Sequence, residues 1–179
     1  MMKKLFYSVC LLPILAFAAS LAEAQQTFRG IVPLVTTQSE VERKLGKPND
    51  YGLYELEEGS IYINYCKTKC EVKIASCLCV VPIGTVLTIV IEPNTDRYIR
   101  DLKLDPNLWT KANVQGDHFS GMQVYVNEKA GMFYTVNSSD GWIRNLTYDG
   151  SEETCRVLRE TQSNKKLFIR TNRHQWGHP

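Results

Sequence analysis

The stretch that decides the fold runs from residue 122 to residue 148 and reads MQVYVNEKAGMFYTVNSSDGWIRNLTY. Apolar side chains recur at every second position in Met122–Val126 and Met132–Val136, and a third apolar run follows in Trp142–Tyr148. This is the period of strands that cover a core with one face. The segments between the runs are rich in Asn, Gly and Asp, which favour tight turns. The pattern predicts three consecutive antiparallel strands, a β-meander.

Further strands are predicted upstream of the meander. Leu53–Leu56 and Ile61–Tyr65 flank a polar turn and predict a β-hairpin. Thr85–Ile91 is a nearly continuous β-branched run, which is typical of a strand covered on both faces. Residues 93–120, called the excursion below, are rich in Asp, Asn, Pro and Lys and predict a long connection with a turn of helix or a short strand.

Helix signals stand at both ends of this strand-rich region. Thr37–Glu40 fits a capping box, and Gly46 with Pro48 ends the short helix that it starts. Ser151–Glu153 offers the start of a second helix. The sequence therefore predicts one α+β domain, residues 25–160, in which an antiparallel sheet of five or six strands packs against a short N-terminal helix and a C-terminal helix.

The first 24 residues are typical of a secretory signal. Lys3 and Lys4 precede the apolar segment Leu5–Ala19, and Ala22–Ala24 forms an A-x-A cleavage site. The alternative is an N-terminal membrane anchor, which the shortness of the apolar segment disfavours. We therefore expect a secreted or periplasmic protein, cleaved near Ala24, with no transmembrane span after cleavage.

Composition and charge exclude several classes of protein. With 44% hydrophobic and 22% charged residues, the chain falls in the globular range and outside the disordered and fibrous ones. A net charge of +2 gives no drive toward nucleic acid. Residues 156–179 carry six basic residues and one acidic residue, so we expect a basic, mobile tail over residues 161–179, with a contact to an anionic surface as the alternative.

Cysteine is the residue type that stands out. Cleavage would remove Cys10 and leave an odd number, namely Cys66, Cys70, Cys77, Cys79 and Cys155. In an exported protein we expect disulfides, with Cys155 bonded to Cys66 or Cys70 across a long loop. The alternatives are a thiolate metal site and a reducible Cys77–Cys79 bond that would support thiol oxidoreductase chemistry. The odd cysteine allows a disulfide between chains, although we expect a monomer.

Two histidine segments offer weaker functional hypotheses. Asp117, His118 and Ser120 suggest a small hydrolase, but no oxyanion loop or nucleophile elbow accompanies them. His174 and His178 have the spacing of metal ligands on a helix, but Gly177 and Pro179 disfavour a helix there. We therefore assign no catalytic residue, no metal and no cofactor.

Aromatic side chains on the predicted strands indicate recognition. They are too many for one covered face, so some must be exposed, and exposed aromatics favour binding over catalysis. The candidates for a binding surface on the solvent face of the sheet are Tyr62, Tyr125, Tyr134, Trp142 and Tyr148.

Several segments resemble a family of uncharacterised secreted bacterial proteins. They are Val32–Tyr51, Val81–Val86, Asp101–Asp105 and Tyr125–Gly131, and the resemblance covers most of the chain beyond the signal segment. The family has no assigned activity, so the resemblance implies bacterial origin and export but no chemistry.

A shorter motif resembles two other groups. A polar cap, Val-x-x-x-Leu-Gly-x-Pro at residues 41–48, and paired strands are similar to small outer-membrane-assembly proteins of the SmpA/OmlA type and to the β-lactamase-inhibitor fold. The chain departs from the first group because it lacks a lipobox cysteine. The expected function is therefore a non-enzymatic binding or structural module of the bacterial envelope, with an unknown envelope protein or ligand as its partner.

Overall fold

The structure is a computed structural model that describes residues 27–113 and 121–175, with side chains described for 27–112 and 121–163. The predicted signal segment lies outside these residues. Within them the chain forms two α-helices, nine strands and a 3-10 turn over Ile99–Leu102. The bounds are α1 Gln38–Leu45, β1 Leu53–Leu56, β2 Gly59–Tyr65, β3 Cys70–Ile74, β4 Cys77–Val81, β5 Val86–Pro93, β6 Thr110–Asn113, β7 Met122–Asn127, β8 Met132–Asn137, β9 Ile143–Tyr148 and α2 Glu152–Gln175.

Seven of these strands form one antiparallel sheet in the order β1-β2-β5-β9-β8-β7-β6. All six strands predicted from alternation are present in it, and β7, β8 and β9 pair as the predicted meander. The prediction of five or six strands is nevertheless too low. The excursion contributes β6 as well as the 3-10 turn, and β3 with β4 forms a separate two-stranded sheet.

Register gives the large sheet two chemically different faces, because successive side chains of a strand point to opposite sides. One face, called the core face, carries a row of directly paired residues from β2 to β7: Ile61, Ile91, Leu146, Tyr134 and Tyr125. The opposite face, called the outer face, carries the neighbouring row: Tyr62, Val90, Thr147, Phe133 and Val126.

Helix α1 covers one end of the core face. Its Val41 is fully buried in a cluster with residues of β1, β2 and β5. The predicted capping box is present, because the backbone N–H of Thr37 donates to the Glu40 carboxylate at 2.8 Å. This bond lowers the pKa of Glu40. Backbone bonds from Gln38 to Gly84 and from Leu34 to Val86 hold the helix entry against the start of β5.

The C-terminal helix does not pack on the large sheet as predicted. Instead α2 lies against β4 of the two-stranded sheet, where Cys77, Cys79 and Val81 are buried on one side of the strand. Together with Leu34 and Cys155 they form a second, smaller core. The helix continues to Gln175, so its backbone includes residues 161–175 of the segment that the sequence assigned to a tail.

The large sheet and the smaller core pack closely against each other at Gly150, just after β9. A Cβ atom at this position would overlap the side chain of Leu34 and lie 2.8 Å from Cδ1 of Ile74. Because the strand end, the N-terminal segment and the β3–β4 hairpin converge there, only glycine fits without rearrangement.

We therefore predict that Gly150→Ala lowers the free energy of unfolding by about 1–3 kcal/mol, the usual cost of overpacking. Urea denaturation followed by circular dichroism measures this loss. In a Leu34→Ala background, which makes room for the new methyl group, the cost of Gly150→Ala should shrink. An unchanged urea midpoint for the single variant would contradict the close packing described.

Candidate functional site

The cysteines cluster in the smaller core, and the structure pairs four of them. Cys77 bonds to Cys155 with Cα atoms 6.1 Å apart, and Cys66 bonds to Cys70 with Cα atoms 5.9 Å apart. The predicted bond from Cys155 to Cys66 or Cys70 is therefore wrong, although a long-range bond to Cys155 is present. The reason is register: β4 carries Cys77 on the side that faces α2, whereas Cys66 lies close enough to Cys70 for a local bridge.

Cys79 is the cysteine left without a partner among the described residues. It is 2% exposed, and burial raises the pKa of its thiol, which keeps the sulfur protonated and weakly nucleophilic. Cys77 and Cys79 do not bond to each other. Within the part of the chain that the structure describes, no group of three or more Cys, His, Asp or Glu side chains has the arrangement of a metal site.

The predicted aromatic surface is divided between the two faces of the sheet. Tyr62 is 44% exposed on the outer face, in agreement with the expectation that some aromatics are exposed. Tyr125, Tyr134 and Tyr148 instead lie half-buried on the core face. Trp142 is also half-buried, and its backbone forms an isolated antiparallel β-bridge with Tyr98. These five residues do not make one continuous surface.

The core face is wider than the elements that cover it. Seven strands span about 29 Å, whereas a helix is about 10 Å wide and covers about two strand spacings. Helix α1 and the turn at Phe28–Ile31 cover the end formed by β1, β2 and β5. The excursion covers the other end, where Trp109 stacks on Tyr134 with ring centroids 5.2 Å apart. A gap remains on the core face between these two covering segments. We call the gap the seam and the segments the two covers.

A cavity of about 320 Å³ lies in this seam, and we call it the tyrosine cavity. Tyr134 and Tyr148 line it from the sheet. Its apolar lining comes from the N-terminal turn, the strands and the excursion, and includes Phe28, Ile91, Leu102, Ile143 and Leu146. A volume in this range, apolar walls and a few polar groups are typical of small-molecule sites.

The polar groups of the tyrosine cavity are two phenol hydroxyls, two guanidinium groups and the carboxylate of Glu58. Burial raises the pKa of both Tyr134 and Tyr148, so both phenols stay protonated at neutral pH. Arg97 and Arg29 also line the cavity. Arg29 is neutralised by a bidentate ion pair with Glu58, with nitrogen–oxygen distances of 3.0 and 2.9 Å. These groups are suited to donating hydrogen bonds to a ligand.

A larger cleft of about 830 Å³ lies between the β7–β8 turn, the β3–β4 turn and the start of α2. Its walls carry charges of both signs, and Arg156 is already paired with Glu153. Burial raises the pKa of the Asp149 carboxyl at its base, while the Gly150 N–H lowers it. The cleft has no dominant charge that would select one ligand class, so the tyrosine cavity is the stronger candidate.

Other predicted site residues are placed as follows. Asp117, His118 and Ser120 lie outside the described residues, as does His178.

The buried indole nitrogen of Trp142 and the buried amide oxygen of Asn145 have no hydrogen-bond partner among the residues that are described. None of the helices described is long and apolar enough to cross a membrane.

Comparison with protein-family models, with curated proteins and with solved structures finds no match to this chain.

Sequence reasoning missed two features of the site region. Strands β3 and β4 carry a readable signal, because Val72 and Ile74 alternate with Glu71 and Lys73 just before a two-residue turn. The tyrosine cavity has a weaker signal. Tyr134 and Tyr148 have the alternation of covered positions, but only the pairing of β8 with β9 shows that they share a face.

The loop lengths of the two disulfides give a prediction for stability. On the chain-entropy estimate, Cys77→Ala/Cys155→Ala should lower the free energy of unfolding by about 4 kcal/mol, and Cys66→Ala/Cys70→Ala by about 2 kcal/mol, because the first bond closes a far longer loop. Urea denaturation of both double variants measures the difference. In variants that begin at Gln25 and so lack Cys10, a thiol assay should find one thiol, Cys79, after unfolding. Equal losses, or more than one reactive thiol, would contradict this pairing.

Proposed function

We propose that this chain is an exported protein of the bacterial envelope that acts as a non-enzymatic binding module, and that the tyrosine cavity is its binding site. Export rests on the signal pattern of residues 1–24 and on the resemblance to a family of secreted bacterial proteins. The ligand site rests on the seam between the two covers of the core face. We expect the protein to act as a monomer.

The observation that carries the binding proposal is the combination of apolar walls with permanent hydrogen-bond donors. Tyrosine hydroxyls with a raised pKa and a guanidinium group do not exchange protons near pH 7, so they are poorly suited to general acid–base catalysis. They are well suited to orienting a bound molecule. Apolar walls supply affinity because a ligand there loses contact with water.

The part of the excursion that lines the cavity also favours ligand entry. Leu102 ends the 3-10 turn of the excursion and contacts the cavity from the side opposite the sheet. The excursion joins the sheet through β6, a four-residue edge strand, and through the bridge of Tyr98 to Trp142. Among residues 94–113, which the structure describes, these pairings are the ladder contacts to the sheet, so this part can shift to admit a ligand at less cost than a central strand paired along both edges.

We expect a small neutral apolar molecule such as benzyl alcohol to bind the tyrosine cavity. In amide NMR titrations of the purified protein, the largest shifts should fall on residues of β8, β9 and the 3-10 turn. Leu102→Trp should abolish the shifts by filling the cavity, because it replaces a lining side chain with a larger one.

Leu108→Trp is the matched control, since Leu108 lies on the same excursion, is 49% exposed and does not line the cavity. It should leave the titration unchanged. Tyr62→Ala on the outer face should do the same. Shifts that centre on Tyr62, or that survive Leu102→Trp in a folded variant, would refute the cavity as the binding site.

A further inference from the structure

The two arginines that line the tyrosine cavity differ in their charge balance. The Arg29 guanidinium forms a bidentate ion pair with Glu58, so this pair brings no net charge to the cavity. Among the described residues Arg97 has no carboxylate within ion-pair distance, whereas Arg100 and Arg156 do. The lining of the tyrosine cavity therefore carries one positive charge, that of Arg97, without an ion-pair partner among the described residues.

The side chain of Arg97 is exposed, and its backbone is bonded to the start of β9. The Ile143 N–H donates to the Arg97 carbonyl oxygen at 2.8 Å, which ties the excursion to the start of β9. The charge of Arg97 acts on Tyr134 and lowers the pKa of its phenol against the larger opposing effect of burial. Arg97 and Tyr134 both line the tyrosine cavity, so one bound group is within the reach of both side chains.

The size of the cavity limits the ligand. At about 30 Å³ for each water molecule of the liquid, 320 Å³ corresponds to about ten non-hydrogen atoms. Apart from Arg97, the two tyrosines and the Arg29–Glu58 ion pair, the lining residues are apolar, with Phe28 6% exposed and Ile143 2% exposed. One end of the site therefore favours a negative charge, and the rest favours a compact apolar body.

We propose that the tyrosine cavity binds a monocarboxylate of about ten non-hydrogen atoms with an apolar body. The carboxylate accepts hydrogen bonds from the Arg97 guanidinium and the Tyr134 hydroxyl, and the body packs against Phe28 and Ile143. This inference rests on the proposed binding function and adds the charge of the ligand. Arginine suits this role because its planar donors match the two oxygens of a carboxylate.

Isothermal titration calorimetry with two acids and their amides tests the inference. Phenylacetate and octanoate should bind at least about tenfold more tightly than phenylacetamide and octanamide, because a charge-assisted hydrogen bond is lost with the amide. Arg97→Gln should remove this preference, so that each acid and its amide bind with similar affinity. Arg100→Gln, on the same excursion but stacked on Tyr98, should keep it.

The outcomes separate this inference from the proposed function. Equal binding of acids and amides, or an acid preference that survives Arg97→Gln, would overturn the carboxylate proposal while leaving the cavity as a binding site for neutral molecules. If neither the acids, the amides nor benzyl alcohol bind, both proposals fall. Tighter binding of phenylacetate than of octanoate, or the reverse, supports the proposal and distinguishes an aromatic acid from a fatty acid.

Discussion

The constraint on which the rest of the structure depends is the width of the large sheet. Its core face extends over seven strands, and a face rich in Ile, Leu and Tyr must be covered to be stable. One helix of eight residues cannot do this, so the chain uses two separate covers: α1 with the N-terminal turn at one end, and the excursion at the other. The tyrosine cavity lies where these covers meet, and it follows directly from the mismatch between sheet and helix.

The smaller core solves a different problem. The two-stranded β3–β4 sheet has too few strands to be stable alone, and its buried side packs against α2, with Leu87 of β5 at the edge of this core. The bond between Cys77 and Cys155 ties the hairpin to that helix, and the bond between Cys66 and Cys70 fixes the entry to β3. The cysteines therefore fit a structural role, while the polar groups suited to binding lie on the core face of the other unit.

Local patterns in the sequence predict the strands and α1 well, because alternation and capping depend on neighbouring residues. The meander of β7, β8 and β9 and the capping box at Thr37 and Glu40 are examples. The partner of Cys155 was predicted wrongly because it depends on which side of β4 each cysteine faces. The tyrosine cavity was not predicted, because the shared face of Tyr134 and Tyr148 depends on strand register and on a loop that folds back over the sheet.

The seam between the two covers is open in the folded protein and has an apolar part formed by Leu102, Leu146 and neighbouring side chains. A crystal of the protein pressurised with xenon tests this most directly, because xenon enters apolar cavities without needing polar contacts. The account predicts an anomalous scattering peak between Leu102, Leu146 and Tyr148. A structure in which side chains of the excursion fill this space, with no xenon peak there, would contradict it.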